Sequence, residues 1–206
     1  EAIRHSRDAV NRAGAQHPKY PIYASNLASA LRFEYEHSGV PETLDEAISY
    51  AEQAERLTAP EHHRYPGYAS NLSLALWTRY ERSGHLASLH DAVATARRAV
   101  GRTSDDQPDA NRYKTNLGLT LWTLAEREPD SGALDESIIV LRDVLDRTPS
   151  EHAERARFAG NIANAYWARY GRGHRRSDLD AAIDTARLAH ELTPQGHIDR
   201  ATRVGN

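Results

Sequence analysis

The chain has 206 residues, is 39% hydrophobic and 27% charged, and carries a net charge of −3, which excludes the basic excess of a nucleic-acid binder and the acidic block of a charged tail. It contains no cysteine, which excludes disulfides and thiolate chemistry, and no apolar run long enough for a signal peptide or a membrane span. A soluble, cytoplasmic chain with no nucleic-acid and no membrane partner is expected. Methionine is absent even at position 1, so the sequence reads as part of something longer. Lysine occurs only as Lys19 and Lys114 against abundant arginine, a bias associated with GC-rich bacterial genomes.

The chain repeats itself. Asn26-Leu27, Asn71-Leu72, Asn116-Leu117 and Asn161-Ile162 stand 45 residues apart, and so do Leu44-Asp-Glu-Ala-Ile48, Leu89-His-Asp-Ala-Val93, Leu134-Asp-Glu-Ser-Ile138 and Leu179-Asp-Ala-Ala-Ile183. Two anchors without slippage predict a solenoid or array, in which each unit covers its neighbour's apolar face. One array over 1–206 is expected. Residues 1–18 hold the second helix of a truncated repeat, 19–63, 64–108, 109–153 and 154–198 are four full repeats, and 199–206 start a further truncated one.

In chain order, the segment ending at Ala9-Val10 falls where the 45-residue step puts a second helix. Next, Tyr23, Leu27, Ala30, Leu31 and Tyr35 fall on one stripe of an amphipathic helix, predicted from about Tyr20 to His37. Ser38-Gly39-Val40-Pro41 breaks it, as do Ser83-Gly84, Glu128-Pro-Asp-Ser-Gly132 and Gly171-Arg-Gly173 in later repeats. The second segment, with Leu44, Ala47, Ile48, Ala51, Ala54 and Leu57, is again one helical face, narrowed by alanines that let a neighbour approach closely. It stops at a threonine column, Thr58, Thr103, Thr148 and Thr193, with Pro60, Pro149 and Pro194 just beyond. No segment has a strand period, so about nine helices in antiparallel pairs are expected.

These residues resemble the tetratricopeptide repeat (TPR) family: Asn-Leu-Gly118 in a first helix, Leu-Asp-Glu-Ala-Ile48 in a second, spaced alanines and a Thr-Pro exit. The unit departs from the usual length of about 34 residues, and the first helix is expected to be about two turns longer. The resemblance implies an all-α, right-handed superhelical solenoid of antiparallel helix pairs, acting as a scaffold that binds a peptide or partner protein in its concave groove. Long units of this kind resemble bacterial, especially actinobacterial, arrays. In those proteins a caspase-like protease or a nucleotide-switch ATPase lies elsewhere in the chain. A regulatory arm for such an effector is therefore one alternative, and self-association through uncapped ends is another.

Placing residues at 100° steps with Leu27 at the buried centre puts Ser25, Ser29, Arg32 and Glu36 on the opposite, groove side. In later repeats the Ser29 position becomes Leu74, Leu119 and Asn164, and the Arg32 position becomes Trp77, Trp122 and Trp167. Tryptophan brings a large apolar area and an N–H, so this column either binds a ligand or fills the seam between neighbouring first helices. The candidate partner-binding set is Trp77, Trp122, Trp167, Leu74, Leu119, Arg32, Asn71, Asn116 and Asn164. The asparagine column at Asn71 and Asn116 offers donors and acceptors together, for a bridge between repeats or a grip on a ligand backbone.

A further column, His17, His62, His152 and His197 with Gln107 in the fifth place, is read as local capping. Successive helix layers lie about 10 Å apart, too far for shared coordination at about 2 Å, so no metal and no cofactor are assigned. Arg172, His174, Arg175 and Arg176 form a basic loop, read as a solvated turn. The acidic residues Asp45, Glu46, Asp135 and Glu136 suit the positive end of a helix dipole. No nucleophile-and-base set stands out, so no catalytic residue is assigned and the chain is expected not to be an enzyme.

Overall fold

The computed structural model describes residues 1–193, in which the backbone forms nine α-helices and no strand. They are α1 (Ala2–Ala13), α2 (Tyr20–Ser38), α3 (Pro41–Arg56), α4 (Tyr65–Ser83), α5 (Leu86–Gly101), α6 (Ala110–Arg127), α7 (Ala133–Arg147), α8 (Arg155–Gly173) and α9 (Arg176–Glu191). His197, Pro194 and the segment 199–206 lie outside the described residues. The first helices α2, α4, α6 and α8 begin at Tyr20, Tyr65, Ala110 and Arg155, keeping the 45-residue step of the sequence. The chain divides into two compact units, Glu1–Asn116 and Leu117–Asn206, and the division falls inside α6.

Each boundary has a local cause. Pro21 and Pro66 occupy the first turns of α2 and α4, where a missing N–H leaves no intrahelical bond unmade. Gly39 and Gly84 close these helices at φ 67° and 68°, a left-handed turn that costs glycine nothing. Their N–H groups donate to the Tyr35 and Tyr80 carbonyls. Pro129 stands in that glycine position after α6, and the residue before a proline avoids helical backbone, so α6 stops at Arg127. The end of α8 corrects the sequence reading: Gly171 and Gly173 remain helical, and His174 makes the left-handed turn at φ 49°.

The loop bonds recur in most repeats, with a shift in register after α6. Ser38, Ser83 and Ser131 accept the N–H two residues on, at 3.3, 3.2 and 3.3 Å, just ahead of the next helix. At the far end of α3, α5, α7 and α9, Thr58, Thr103, Thr148 and Thr193 donate their hydroxyls to the carbonyls of Ala54, Ala99, Val144 and Ala189. This keeps a hydroxyl bonded where the helix stops and the backbone turns away.

In the first unit, Val10, Tyr20, Ala24, Leu27, Leu31, Ala47, Ala54 and Tyr68 form one buried cluster. A second follows with Ala28, Leu44, Ile48, Ala51, Leu72, Ala75, Leu76 and Ala92. Each cluster takes residues from successive helix pairs, as expected when no pair can bury its apolar face alone. Within a pair, small residues meet at the crossing: Ser73 donates to the Ala92 carbonyl at 2.8 Å. In the second unit, Ser137 of α7 donates to the Gly118 carbonyl of α6 at 2.7 Å. There the helices come so close that a Cβ on Gly118 would sit 2.6 Å from the Leu141 side chain.

Charged side chains reinforce neighbouring pairs. Arg98 of α5 and Tyr65 of α4 both reach Glu55 of α3, at 2.9 Å each. Burial first, and then Glu55, raise the Tyr65 phenol above its ordinary value. In the second unit Arg169 of α8 grips Asp178 of α9 through two bonds, 2.7 and 3.1 Å, and reaches Asp135 of α7 at 2.7 Å.

Candidate partner-binding face

In the first unit the first helices α2 and α4 lie side by side, joined by a polar rung. Asn71 donates through Nδ2 to the Ser25 hydroxyl at 2.9 Å, and Asn116 at the start of α6 does the same to Ser70 at 3.0 Å. Ser25, expected on the solvated side, is only 3% exposed because the next first helix covers it. The 100° projection treats a helix as standing alone, and stacking rotates part of its polar side into a seam. Asn161 is half-buried and its Nδ2 has no partner. In the serine column the third repeat has Thr115, whose hydroxyl donates to the Asn111 carbonyl of its own helix, and the fourth has Gly160.

Outward from this rung lie Leu74 and Trp77 of α4, both half-buried. Trp77 packs with Tyr35 and Tyr50 against the second core cluster, and its Nε1 is buried without an acceptor. Arg32 of α2, the residue in the tryptophan column, forms an ion pair with Glu36 one turn on. Glu81 stands in the register position of Glu36, and desolvation first, then the Glu36 charge, hold its carboxyl above the ordinary value. Two carboxylates from adjacent helices therefore share one patch, with Arg32 paired to Glu36 at its edge.

The second unit carries the rest of the candidate set by itself. Leu119 and Trp122 of α6 are half-buried, and Trp122 Nε1 is again buried without an acceptor. On α8, Asn164 is exposed and Trp167 is 52% exposed, its ring 5.7 Å from that of Tyr170. The tryptophan column thus grades from packed to open, so identical register does not mean identical environment.

The histidine column does local work at three described positions. His17, His62 and His152 each accept through Nδ1 the N–H two residues on, at 3.1 Å, immediately before a first helix. This requires the neutral ring with its proton on Nε2. The basic loop divides between two roles: Arg172 donates to the Ala125 carbonyl at 2.6 Å, tying α8 to α6, whereas Arg175 and Arg176 are exposed. Sequence reasoning missed the Glu36 and Glu81 patch and the Arg169 lock. The repeated glutamates were a usable signal for the first. For the second, the arginine at both Arg79 and Arg169 in one register was the clue.

No family model matches the sequence, and no curated protein matches it. Solved structures do. A crystal structure of kinesin light chain nearly identical TPR-like repeats from Podosopora anserina superposes with a TM-score of 0.65 at 18% identity, covering 94% of this chain and 88% of that one. The crystal structure of BtubC (BKLC) from P. vanneervenii superposes with a TM-score of 0.63 at 17% identity, covering 99% of this chain and 75% of that one. The fold is that of a TPR-like helical repeat protein. No helix among the described residues is long and apolar enough to cross a membrane.

Proposed function

We propose that the chain is a protein-interaction scaffold that binds a peptide or partner protein through the groove side of its first helices, without chemistry of its own. The observation that carries this reading is the tryptophan column. Trp167 leaves half its surface in solvent, and Trp77 and Trp122 are half-buried with indole N–H groups that no acceptor among the described residues meets. Large rings with a polar tip, set on rigid helices, concentrate binding energy where water is excluded. Leu74 with Arg32 and Asn71 in the first unit, and Leu119 with Asn164 in the second, surround these anchors. Asn116, at the end of the first unit, keeps acceptor capacity on its carbonyl oxygen. TPR-like neighbours support the scaffold class.

The test is selection of peptides from a random display library on the intact chain, followed by titration of Trp77→Ala, Trp122→Ala and Trp167→Ala. The reading expects each to weaken the selected peptide by at least tenfold, about 1.4 kcal/mol, with Trp167→Ala leaving the melting curve unchanged. Unchanged affinity in all three, with lowered melting in Trp77→Ala and Trp122→Ala, would make the column internal packing.

A further inference from the structure

One turn beyond the tryptophan column runs a second one. Four residues after Arg32, Trp77, Trp122 and Trp167 stand Glu36, Glu81, Glu126 and Gly171, and residues four apart share a helix face. Arg32 and Glu36 neutralise each other across that turn. Trp77 with Glu81 in the first unit, and Trp122 with Glu126 in the second, instead set an indole beside an exposed carboxylate. Neither carboxylate has an ion pair among the described residues. Desolvation, then the Glu36 charge, already press on Glu81.

The chain itself shows what a ring and a carboxylate at this spacing hold. Asp109 and Tyr113, also four residues apart, hold Arg112: its Nε donates to Asp109 at 3.1 Å, and its guanidinium carbon lies 4.6 Å from the centre of the Tyr113 ring. Glu154 and Phe158 hold Arg157 in the same way, at 2.8 and 4.9 Å. Arg169, gripped by Asp178, lies 5.6 Å from the Tyr166 ring. The carboxylate takes the charge and the N–H groups of a guanidinium, and the ring takes its flat, weakly hydrated face. At Trp77–Glu81 and Trp122–Glu126 the ring comes first along the helix, and the guanidinium is missing. Arg79, between Trp77 and Glu81, is bonded to Ser88 of α5, and no arginine stands between Trp122 and Glu126.

We infer that each of these two indole–carboxylate pairs takes one arginine side chain of a partner peptide, so that the groove selects a basic ligand. This rests on the scaffold reading above and names the chemistry of its ligand. Leu74 and Leu119, three residues before the two indoles, offer apolar surface to the residues flanking the arginine. Trp167 has Gly171 in the carboxylate position and is the internal control.

The probe is the peptide acetyl-Leu-Arg-Leu-amide, titrated into the isotope-labelled 206-residue chain while the indole N–H signals are followed by NMR. The Trp77 and Trp122 signals should shift saturably, and that of Trp167 should not. Citrulline in place of the arginine keeps the shape and removes the charge, and should weaken binding about fivefold. Glu81→Gln should weaken it by a similar factor at Trp77 alone, and Glu126→Gln at Trp122 alone. Both glutamates are exposed, so both variants should melt like the parent. Equal binding of the citrulline peptide, unmoved Trp77 and Trp122 signals, an equal shift at Trp167, or unchanged binding in the glutamine variants would overturn the inference. Any of these results, alongside displayed peptides whose binding needs Trp77 or Trp122, would overturn it and leave the scaffold reading standing.

Discussion

The α4–α5 and α6–α7 pairs close the same crossing with the same hydrogen bond, run in opposite directions. In α4–α5 the first helix supplies the hydroxyl, Ser73, and the second supplies the Ala92 carbonyl. In α6–α7 the second helix supplies Ser137 and the first supplies the Gly118 carbonyl. Bulk has moved as well. Leu141 reaches the Gly118 backbone in α6–α7, whereas its register position in α4–α5 is Ala96, beneath the larger Ser73. What the repeat preserves is the separation of two helix axes and one satisfied hydroxyl, not the residue at either position.

A second contrast runs between α4–α5 and α8–α9. Arg79 donates to the Ser88 hydroxyl at 3.0 Å, and Arg169, in the same register, grips Asp178 by two bonds. The hydroxyl version buries no second charge, whereas the charged one buries a carboxylate whose side chain is only 4% exposed. Asp178→Ala should therefore show the largest effect, about 3 kcal/mol of lost stability in urea unfolding, because a partly buried guanidinium loses its main partner. Ser88→Ala is the control and should cost about 1 kcal/mol.

Next in size is Gly118→Ala. The added methyl would press on Leu141, so a loss of about 2 kcal/mol is expected, from overpacking in a closely approached seam. Adding Leu141→Ala to it imitates the small-residue geometry of α4–α5. The double variant should be more stable than the sum of the two single losses predicts, a coupling read from a double-mutant cycle. Strict additivity would show that the two positions do not share one gap. The smallest effect belongs to the hydroxyls: Ser73→Ala and Ser137→Ala should each cost about 1 kcal/mol, and equally, if direction is immaterial. A marked inequality in thermal or urea melts would break the equivalence.

These contrasts also mark what the sequence could convey. Helix number, helix class, the threonine stops and the histidine caps follow from columns 45 residues apart, since each is a local bond repeated in register. The direction of the crossing bond was not legible, because Ser73 and Ser137 sit in different helices and only the packed pair reveals them as alternatives. Asp178 reads as an ordinary acidic residue of a first helical turn until Arg169 is seen to reach it. The tryptophans were legible as a column. Their graded burial was not, because it depends on the neighbours of each first helix.

The rungs from Asn71 to Ser25 and from Asn116 to Ser70 have an arrow: in both, the later helix gives and the earlier receives. The block 64–108 therefore carries its own peg, Asn71, on one flank and its own socket, Ser70, on the other. A further copy of that block spliced beside it would arrive with both halves of its joint already in place.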